Sequence, residues 1–337
     1  MLTTVLDRVA SASDQILVSD AAGEYTGEVL LRSAAALSTS LAREHNGVDG
    51  LRLALLAQPG LAYVSGMLAA WMSNAMVVPL CPEHPRAEMA HVLTDADVHG
   101  VLVDPRLSHL LPESDLPVVV LPTAHRDVAP PTDAGDSDAI VATRTAPDAP
   151  ALMLYTSGTT GKPKGVVHTH ATMNAQISCL VEAWEWNETD RIAHFLPLHH
   201  VHGLVNKLLC PLWVGARCDM FERFDAALVL ERMSDAAATE SPFTIFMAVP
   251  TVYAKAIAAW EAAPEATQQR WSHACRALRV MISGSAALPV PVLERWREIS
   301  GQTLLERYGM TEIGIALGNP LHGERRPGFV GQPLPGM

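Results

Sequence analysis

A ten-residue run of glycine, hydroxyl and lysine residues, 156–165, has the composition of a phosphate-binding loop. Its three glycines let the backbone turn sharply and bring N–H groups close to an anion. Four hydroxyl side chains add hydrogen-bond donors, and two lysines add the positive charge that a triphosphate requires. The residues predicted to bind the phosphates are Thr156, Ser157, Gly158, Thr159, Thr160, Gly161, Lys162, Lys164 and Gly165.

This run differs from the other common phosphate loop, GxxxxGK(S/T). Thr156 stands where that loop has its first glycine, and Pro163 stands where a serine or threonine follows the lysine. A hydrophilic surface turn without any ligand has the same general composition. Composition alone therefore leaves both alternatives open.

Two further segments, 283–289 and 308–312, contain small or polar residues next to predicted strands. Small residues allow a flat ligand to approach the backbone closely, although a plain tight turn is the alternative for the first segment. The residues predicted for such a contact are Gly284, Ser285 and Ala286. The second segment ends in Glu312. If that carboxylate is buried, it needs a cation as partner, and the alternative is a carboxylate at a helix start.

Four histidines lie in or beside the segment 196–203 and raise the question of a metal site: His194, His199, His200 and His202. Their spacing is poor for ligands on one element. No cysteine or carboxylate cluster accompanies them in the sequence. Packing and hydrogen bonding are therefore the expected roles of these side chains.

Helical and strand patterns alternate along nearly the whole chain. Strands are predicted at 51–57, 76–80, 100–104, 117–121, 151–156, 166–169, 191–196, 217–221, 243–249, 278–283 and 303–306, and helices at 28–45, 61–72, 84–95, 171–186, 203–214, 226–237, 251–262 and 289–300. This alternation predicts an α/β fold with mainly parallel sheets. A stretch without periodicity, rich in Pro, Asp, Ala and Thr, is predicted to be a linker or loop at 122–150 between subdomains 1–121 and 151–337.

Composition excludes several classes of protein. Apolar residues make up 49% of the chain and charged residues 18%, which is typical of a globular protein. A formal net charge of −12 gives little attraction to nucleic-acid phosphates, so no nucleic-acid partner is expected. The five scattered cysteines indicate reduced thiols, and no apolar run is long enough to predict a transmembrane segment. A cytoplasmic location is predicted, and a mitochondrial one is left open.

The string TSGTTGKPKG resembles, at every position, the signature of the adenylate-forming superfamily, which includes acyl-CoA synthetases, luciferases and peptide-synthetase adenylation domains. LPLHHVHGLVN, LLCPLWVGA, FMAVPTVY, SGSAALP, LLERYGMTEIGIAL and GFVGQPLPG are most similar to malonyl-CoA synthetases. The resemblance implies a ligase that activates malonate or methylmalonate as an acyl-AMP and transfers the acyl group to CoA. It implies two Rossmann-like subdomains, with the family's barrel-like third subdomain incomplete and its C-terminal domain absent.

The resemblance also implies roles for residues around the third segment. Glu312 would hold Mg²⁺ on the phosphates of ATP, and Thr311 would bond the α-phosphate. Tyr308 would pack against adenine, with Gly309 and Met310 in the same nucleotide site.

The loop 284–286 is implied to contact adenine and the acyl group, and His202 to shape the acid pocket. The predicted catalytic residues are Thr311, Glu312 and His202. The family's ribose-binding aspartate and C-terminal lysine have no counterpart here, so the chain alone is expected to make acyl-CoA poorly. Alternatives left open are a ligase for another short- or medium-chain acid, a luciferase-like or peptide-synthetase-like enzyme, and a non-catalytic nucleotide-binding remnant.

Arg307, directly before the segment 308–312, is the candidate for recognising a dicarboxylic acid. Malonate has one carboxylate to activate and one to bind, and an arginine fork suits the second. Fatty-acyl relatives commonly have an uncharged residue at this place. The alternative is a structural pair with Glu306 or another acid, and the sequence leaves both open. Arg325 and Arg326 are weaker candidates because their charged turn is expected to be solvated.

Overall fold

The computed structural model describes residues 4–45, 50–128, 146–156 and 163–337. The chain forms two compact units. The first unit comprises Met1–Ala175 and Pro197–Val205, and the second comprises Gln176–Leu196 and Asn206–Met337. Each unit combines helices with a largely parallel sheet, so the predicted α/β class is confirmed.

The first unit is built on a parallel sheet with an antiparallel edge strand. Its elements are α1 (Val5–Ser11), β1 (Ile16–Asp20), β2 (Gly23–Thr26), α2 (Gly27–His45), β3 (Arg52–Leu56), α3 (Leu61–Met72), β4 (Met76–Pro79), α4 (Arg86–Asp95), β5 (Gly100–Val103), β6 (Val118–Val120), β7 (Pro150–Thr156) and β8 (Lys164–Thr169), with 3₁₀ helices at Pro105–Leu110 and His125–Asp127. The six-stranded sheet has the order β6-β5-β3-β4-β7-β8. β8 is antiparallel to β7, whereas the other neighbours are parallel.

Helix α3 is the buried centre of the first unit. All of its residues are buried, as expected for a helix that is apolar on every side. Its two polar-tipped aromatic side chains find carbonyl partners: Trp71 Nε1 donates to Ala151 O at 2.8 Å, and Tyr63 Oη donates to Leu198 O at 2.9 Å. The second bond attaches the segment 197–205 to this helix.

The remaining elements lie mostly in the second unit. They are α5 (His170–Trp184), β9 (Arg191–His194), a π-helix (His202–Leu209), α6 (Cys210–Val214), β10 (Arg217–Met220), α7 (Ala226–Ala236), β11 (Ile245–Ala248), α8 (Pro250–Ala262), α9 (Glu265–Ala277), β12 (Val280–Ser283), α10 (Val290–Ser300), β13 (Leu305–Met310), β14 (Gly314–Gly318) and β15 (Gln332–Pro333). Strand order within the unit is β15-β14-β13-β12-β11-β9-β10. Strands β9 to β13 are mutually parallel, and β14 and β15 add antiparallel pairs. The described part of the chain contains no closed barrel.

The compact units divide the chain differently from the predicted subdomains. Strands β7 and β8, which the prediction placed in 151–337, pair in the sheet of the first unit, where β7 joins β4 through Leu152 and Val77. The predicted boundary at 122–150 was based on composition, which indicates a long loop. A long loop can connect two parts of one compact unit, and this segment lies within the first unit. Within the predicted linker, residues 129–145 lie outside the described residues.

Several elements were not predicted, because their sequence patterns are short or polar. They are α1, β1, β2, α9, β14 and β15. Helix α9 is rich in polar side chains and buries a small apolar face that includes Trp271 and Cys275. Strand β13 is longer than the predicted 303–306, since it continues to Met310. Segment 308–310 therefore lies on a strand.

The predicted helix 203–214 is instead a π-helix followed by the short α6. Pro211 has no N–H to donate, so an ordinary α-helix would leave the carbonyl of Lys207 without its usual partner. The Cys218 thiol donates to that carbonyl at 3.3 Å instead. Wide π turns are rare and often occur near functional residues, and this one begins at His202.

Lys207 is a buried lysine in this helix. Its Nζ donates to Met247 O at 2.7 Å and lies 3.7 Å from the centroid of the Phe195 ring. Burial lowers the pKa of Lys207 well below its ordinary value, and the neighbouring Cys218 only partly offsets this. The charged form is therefore less stable in the folded chain than in the unfolded chain.

Lys207→Met is expected to flatten the pH dependence of folding stability. Between the lowered pKa of Lys207 in the folded chain and about pH 10, this side chain binds more protons in the unfolded chain than in the folded one, so its contribution to stability rises with pH across this window. Methionine fills similar space without a charge, and stability at pH 7 should stay within about 2 kcal/mol of wild type. Urea unfolding at several pH values measures this, with the exposed Lys255→Met as control. An unchanged pH slope would contradict the expectation.

Candidate active site

The predicted phosphate loop connects β7 and β8 in the first unit. These strands form an antiparallel hairpin in which Thr156 pairs with Lys164 and Tyr155 pairs with Gly165. A Cβ added at Gly165 would lie 2.7 Å from Met153 Sδ, so a larger residue would disturb the hairpin. The register brings the two ends of the loop together. The other predicted phosphate-binding residues lie outside the described part: Ser157, Gly158, Thr159, Thr160, Gly161 and Lys162.

His202 is a buried imidazole at the start of the π-helix, also in the first unit. The backbone just before it is fixed locally, because Leu204 N donates to His200 O at 2.9 Å. The structure therefore gives His202 a buried position next to a fixed stretch of backbone, and its role in an acid pocket stays a prediction.

No cysteine lies near these histidines in the sequence, but the fold brings one beside them. Cys81 and His84 lie beside His199, with one ligand atom of each within 4.8 Å of the others. They come from a turn distant in sequence, so spacing along the chain could not reveal them.

In the second unit, the loop after β12 has an unusual backbone. Ser285 adopts a φ of +70°, a conformation that residues other than glycine rarely adopt. Its side chain and that of Ala286 are exposed, whereas Gly284 is buried. Backbone strain of this kind persists where the surrounding structure fixes it, and it is frequent at ligand sites.

Strand β13 and the following turn present apolar side chains to solvent. Tyr308, Met310 and Ile313 are exposed by 46%, 44% and 49%. Gly309 is required by the neighbouring strand, because an added Cβ would lie 2.2 Å from Gly314 O. An exposed aromatic side chain beside a glycine offers a flat surface for a ring such as adenine.

Thr311 and Glu312 lie in the turn between β13 and β14. Glu312 is exposed, so burial gives no argument for a cation partner, and it lies in a turn, so the alternative of a helix start is wrong. Within the described residues, Glu312 forms no hydrogen bond and no ion pair. Mg²⁺ prefers such an oxygen ligand, so this carboxylate fits the predicted ion.

Arg307 is a buried arginine without an acidic partner in the described part of the chain. Its side chain is 3% exposed, and its Nη2 donates to Ser285 Oγ at 3.2 Å. Its buried Nε has no hydrogen-bond partner there. Burial lowers the pKa of Arg307 to about 9, which leaves it charged at neutral pH. A buried charge of this kind is costly unless an anion pairs with it.

The structure does not support the alternative that Arg307 pairs with Glu306. Successive strand residues point to opposite faces. Glu306 Oε1 accepts from Gly328 N at 3.1 Å, and burial raises the pKa of Glu306 despite such bonds. No other acid pairs with Arg307 among the described residues.

Arg325 and Arg326, the weaker candidates for binding the acid, have hydrogen-bond or ion-pair partners close to them in the sequence or the fold. Arg325 donates to the carbonyl oxygens of Pro320, Thr303 and Leu321 at 3.3, 2.7 and 2.8 Å. Arg326 is exposed and pairs with the exposed Glu324 at 3.1 Å. Both side chains therefore have local partners.

Gly284→Ala is expected to displace the Arg307 side chain. The added Cβ would lie 2.5 Å from Arg307 Nε and 2.7 Å from its Cζ. The guanidinium must move, and overpacking typically costs about 1–3 kcal/mol. Use of malonate should fall about tenfold more than use of acetate, because only the dicarboxylic acid depends on the position of Arg307. Pyrophosphate release with malonate and with acetate measures the two effects. Equal loss with both acids would contradict the expectation.

A cavity of about 330 Å³ lies in the first unit, and none of the predicted site residues within the described part of the chain lines it. Its lining includes Arg52, Met76 and Pro150, the first residues of β3, β4 and β7. Ligands of open parallel sheets bind at the opposite, carboxyl ends of the strands. This cavity is therefore not assigned to the candidate site.

Comparison with known proteins places the chain in a family. Residues 6–337 match the family of AMP-binding enzymes, and the chain belongs to this family. It is 42% identical to the bovine (Bos taurus) mitochondrial malonate–CoA ligase ACSF3 over 99% of its own length and 58% of that protein. It is 39% identical to the malonate–CoA ligase of Arabidopsis thaliana, with 86% of this chain and 50% of the plant protein covered.

Solved structures are similar as well. A malonyl-CoA ligase in a ternary product complex with methylmalonyl-CoA and AMP is 31% identical with a TM-score of 0.79, over 96% of this chain and 64% of the other. The ATP-bound MatB from Rhodopseudomonas palustris is 27% identical with a TM-score of 0.80, over 100% of this chain and 65% of the other. The chain thus spans somewhat more than half the length of the animal malonate–CoA ligases that it matches. Among the described helices, none is long and apolar enough to cross a membrane.

Proposed function

We propose that this chain carries the nucleotide- and acid-binding part of an acid–thiol ligase that activates malonate or methylmalonate with ATP. The first product is an acyl-adenylate with release of pyrophosphate, and the thiol of CoA then displaces AMP. The observation that carries the choice of acid is Arg307, a buried cation that forms no ion pair with any acid among the described residues. Similarity to malonate–CoA ligases supports the same acid class.

The residues present can divide the first half-reaction between them. In this proposal, the loop 156–165 binds the phosphates of ATP, and Thr311 donates to the α-phosphate. Tyr308 and Met310 pack against adenine beside the loop 284–286. Since both reactants are anions, the protein's main task is to position them and to supply fixed positive charge.

The acid would be held at one end. Arg307 binds the carboxylate that does not react, and Ser285, which already accepts a bond from Arg307, lies next to it. His202 shapes the pocket around the acid. The other carboxylate then remains free to attack the α-phosphorus. Mg²⁺ held by Glu312 would neutralise charge on the phosphates.

The state of the cysteines supports a proposal for the cellular compartment of the protein. All five are unpaired and buried, which favours a reducing compartment. We propose the cytoplasm, with the mitochondrion as the alternative, because several similar ligases are described as mitochondrial.

Pyrophosphate release by the 337-residue chain with Mg·ATP tests the proposed function. The acids would be malonate, methylmalonate, acetate, hexanoate and a pool of amino acids, with enzyme in excess of ATP so that slow chemistry is detected. We expect release with malonate or methylmalonate and thermal stabilisation by ATP in the same samples. Release with acetate, hexanoate or an amino acid instead would assign another acid, and absence of both signals would contradict the proposal.

A further inference from the structure

A cluster of one cysteine and two histidines lies in the first unit, and none of its three residues is assigned to the nucleotide or the acid above. One ligand atom each of Cys81, His84 and His199 lies within 4.8 Å of the other two. Ligand atoms around a tetrahedral Zn²⁺ stand roughly 3.3–3.8 Å apart, because Zn–N and Zn–S bonds are about 2.0 and 2.3 Å long. Small side-chain rotations would therefore bring these three atoms onto one ion.

The turn 81–84 presents its two ligands together. It follows β4, and His84 N donates to Cys81 O at 3.1 Å, which closes the turn. Cys81 is buried, whereas His84 is 36% exposed, so an ion could reach the cluster from solvent. Two residues separate Cys81 from His84, a separation similar to that of paired ligands in structural zinc sites.

The His84 ring is oriented by a carboxylate. Its Nδ1 lies 3.1 Å from Glu88 Oε1, one turn later on α4. This contact leaves Nε2 to carry the lone pair that a metal requires. Histidine ligands in metal sites commonly have such a carboxylate partner, which fixes the ring and makes it a better donor.

His199 supplies the second imidazole of the cluster. Its ring centroid lies 5.2 Å from that of His84 and 4.0 Å from that of His200. A neutral imidazole offers one ring nitrogen with a lone pair to a metal ion.

We propose that Cys81, His84 and His199 form a site for a transition-metal ion of the zinc class. One thiolate and two imidazoles select Zn²⁺ or a similar ion over Mg²⁺ and Ca²⁺, which prefer oxygen ligands. Binding releases the thiol proton of Cys81 to solvent, and water completes the coordination. The ion would tie the turn 81–84 to the segment that leads into His202. This inference is independent of the proposed acid and of the adenylation chemistry.

Metal binding by the purified full chain tests the proposal. After chelator treatment, Zn²⁺ would be titrated in competition with a chromophoric chelator, and Co²⁺ would be added as a spectroscopic probe. We expect one metal ion per chain, a thiolate-to-cobalt charge-transfer band in the near ultraviolet, and a higher melting temperature with Zn²⁺. Wild-type spectra alone decide whether a thiolate binds, so this readout does not depend on how well any variant folds.

Variants then identify the ligands. Cys81→Ser should abolish the charge-transfer band, and His84→Ala and His199→Ala should each weaken zinc binding at least tenfold. Glu88→Gln, which leaves every ligand in place, should weaken it by about tenfold. Cys179→Ser and His273→Ala, at a buried cysteine and an exposed histidine elsewhere, are the matched controls and should bind as wild type does. No bound ion, or a charge-transfer band that survives Cys81→Ser, would overturn the proposal.

Discussion

Glu312→Gln is expected to lower malonate-dependent pyrophosphate release by about 100-fold or more, which corresponds to roughly 2.7 kcal/mol of transition-state stabilisation. Glutamine keeps the shape of the side chain but removes the charge that holds Mg²⁺. Since Glu312 is exposed and has no partner among the described residues, the folded structure should lose little stability. Initial rates at increasing Mg²⁺ measure the effect, and a much higher Mg²⁺ requirement should accompany the lower rate.

The matched control for this substitution is Glu294→Gln. Glu294 is likewise an exposed glutamate of the second unit, on α10. Its replacement should leave the rate and the Mg²⁺ requirement unchanged. If Glu312→Gln and Glu294→Gln behave alike, Glu312 does not hold the ion.

Arg307→Lys is expected to lower kcat/KM for malonate by more than about tenfold. Lysine keeps the positive charge but loses the fork that binds a carboxylate through two hydrogen bonds, a contact worth roughly 1.5–3 kcal/mol. Because the Arg307 side chain is only 3% exposed, bulk solvent has little access to it and replaces the lost bond poorly. The loss should appear mainly with dicarboxylic acids, so the ratio of malonate to acetate efficiency is the informative number.

Arg326→Lys controls for the loss of an arginine nearby in sequence, because Arg326 is exposed and pairs only with the exposed Glu324 in the described part of the chain. Arg326→Lys should change kcat/KM neither for malonate nor for acetate. Unchanged malonate efficiency in Arg307→Lys would remove the basis for choosing a dicarboxylic acid. Equal losses for malonate and acetate would make Arg307 a structural residue.

Helices and strands were predicted most accurately where the hydrophobic pattern of a single segment was enough to define them. The bounds of α3 match the predicted 61–72, because an apolar run closed by a turn at each end defines a buried helix locally. The predicted α/β fold with mainly parallel sheets was confirmed as well, because the alternation of helix and strand patterns is also visible segment by segment. Assignment of β7 and β8 to the first unit depends on strand pairing with β4, which composition does not report.

Local patterns also could not show the surroundings of single side chains. The π-helix depends on the thiol of Cys218, and the environment of Arg307 depends on how closely Gly284 approaches it. The sequence left the partner of Arg307 open between Glu306 and a ligand, and the strand register of β13 was needed to separate them. Cys81 and His199 are far apart in the sequence, so their proximity is a property of the fold alone.

The most direct test of the central proposal is detection of the adenylate itself. The full chain would be mixed with ATP, Mg²⁺ and a single acid, with protein in excess of ATP, and the acid-quenched products would be analysed by mass spectrometry. We expect malonyl-AMP or methylmalonyl-AMP, and far less adenylate from acetate or hexanoate. Adenylate formation from acetate or hexanoate without any from the two dicarboxylic acids, or no adenylate from any acid, would contradict the proposed function.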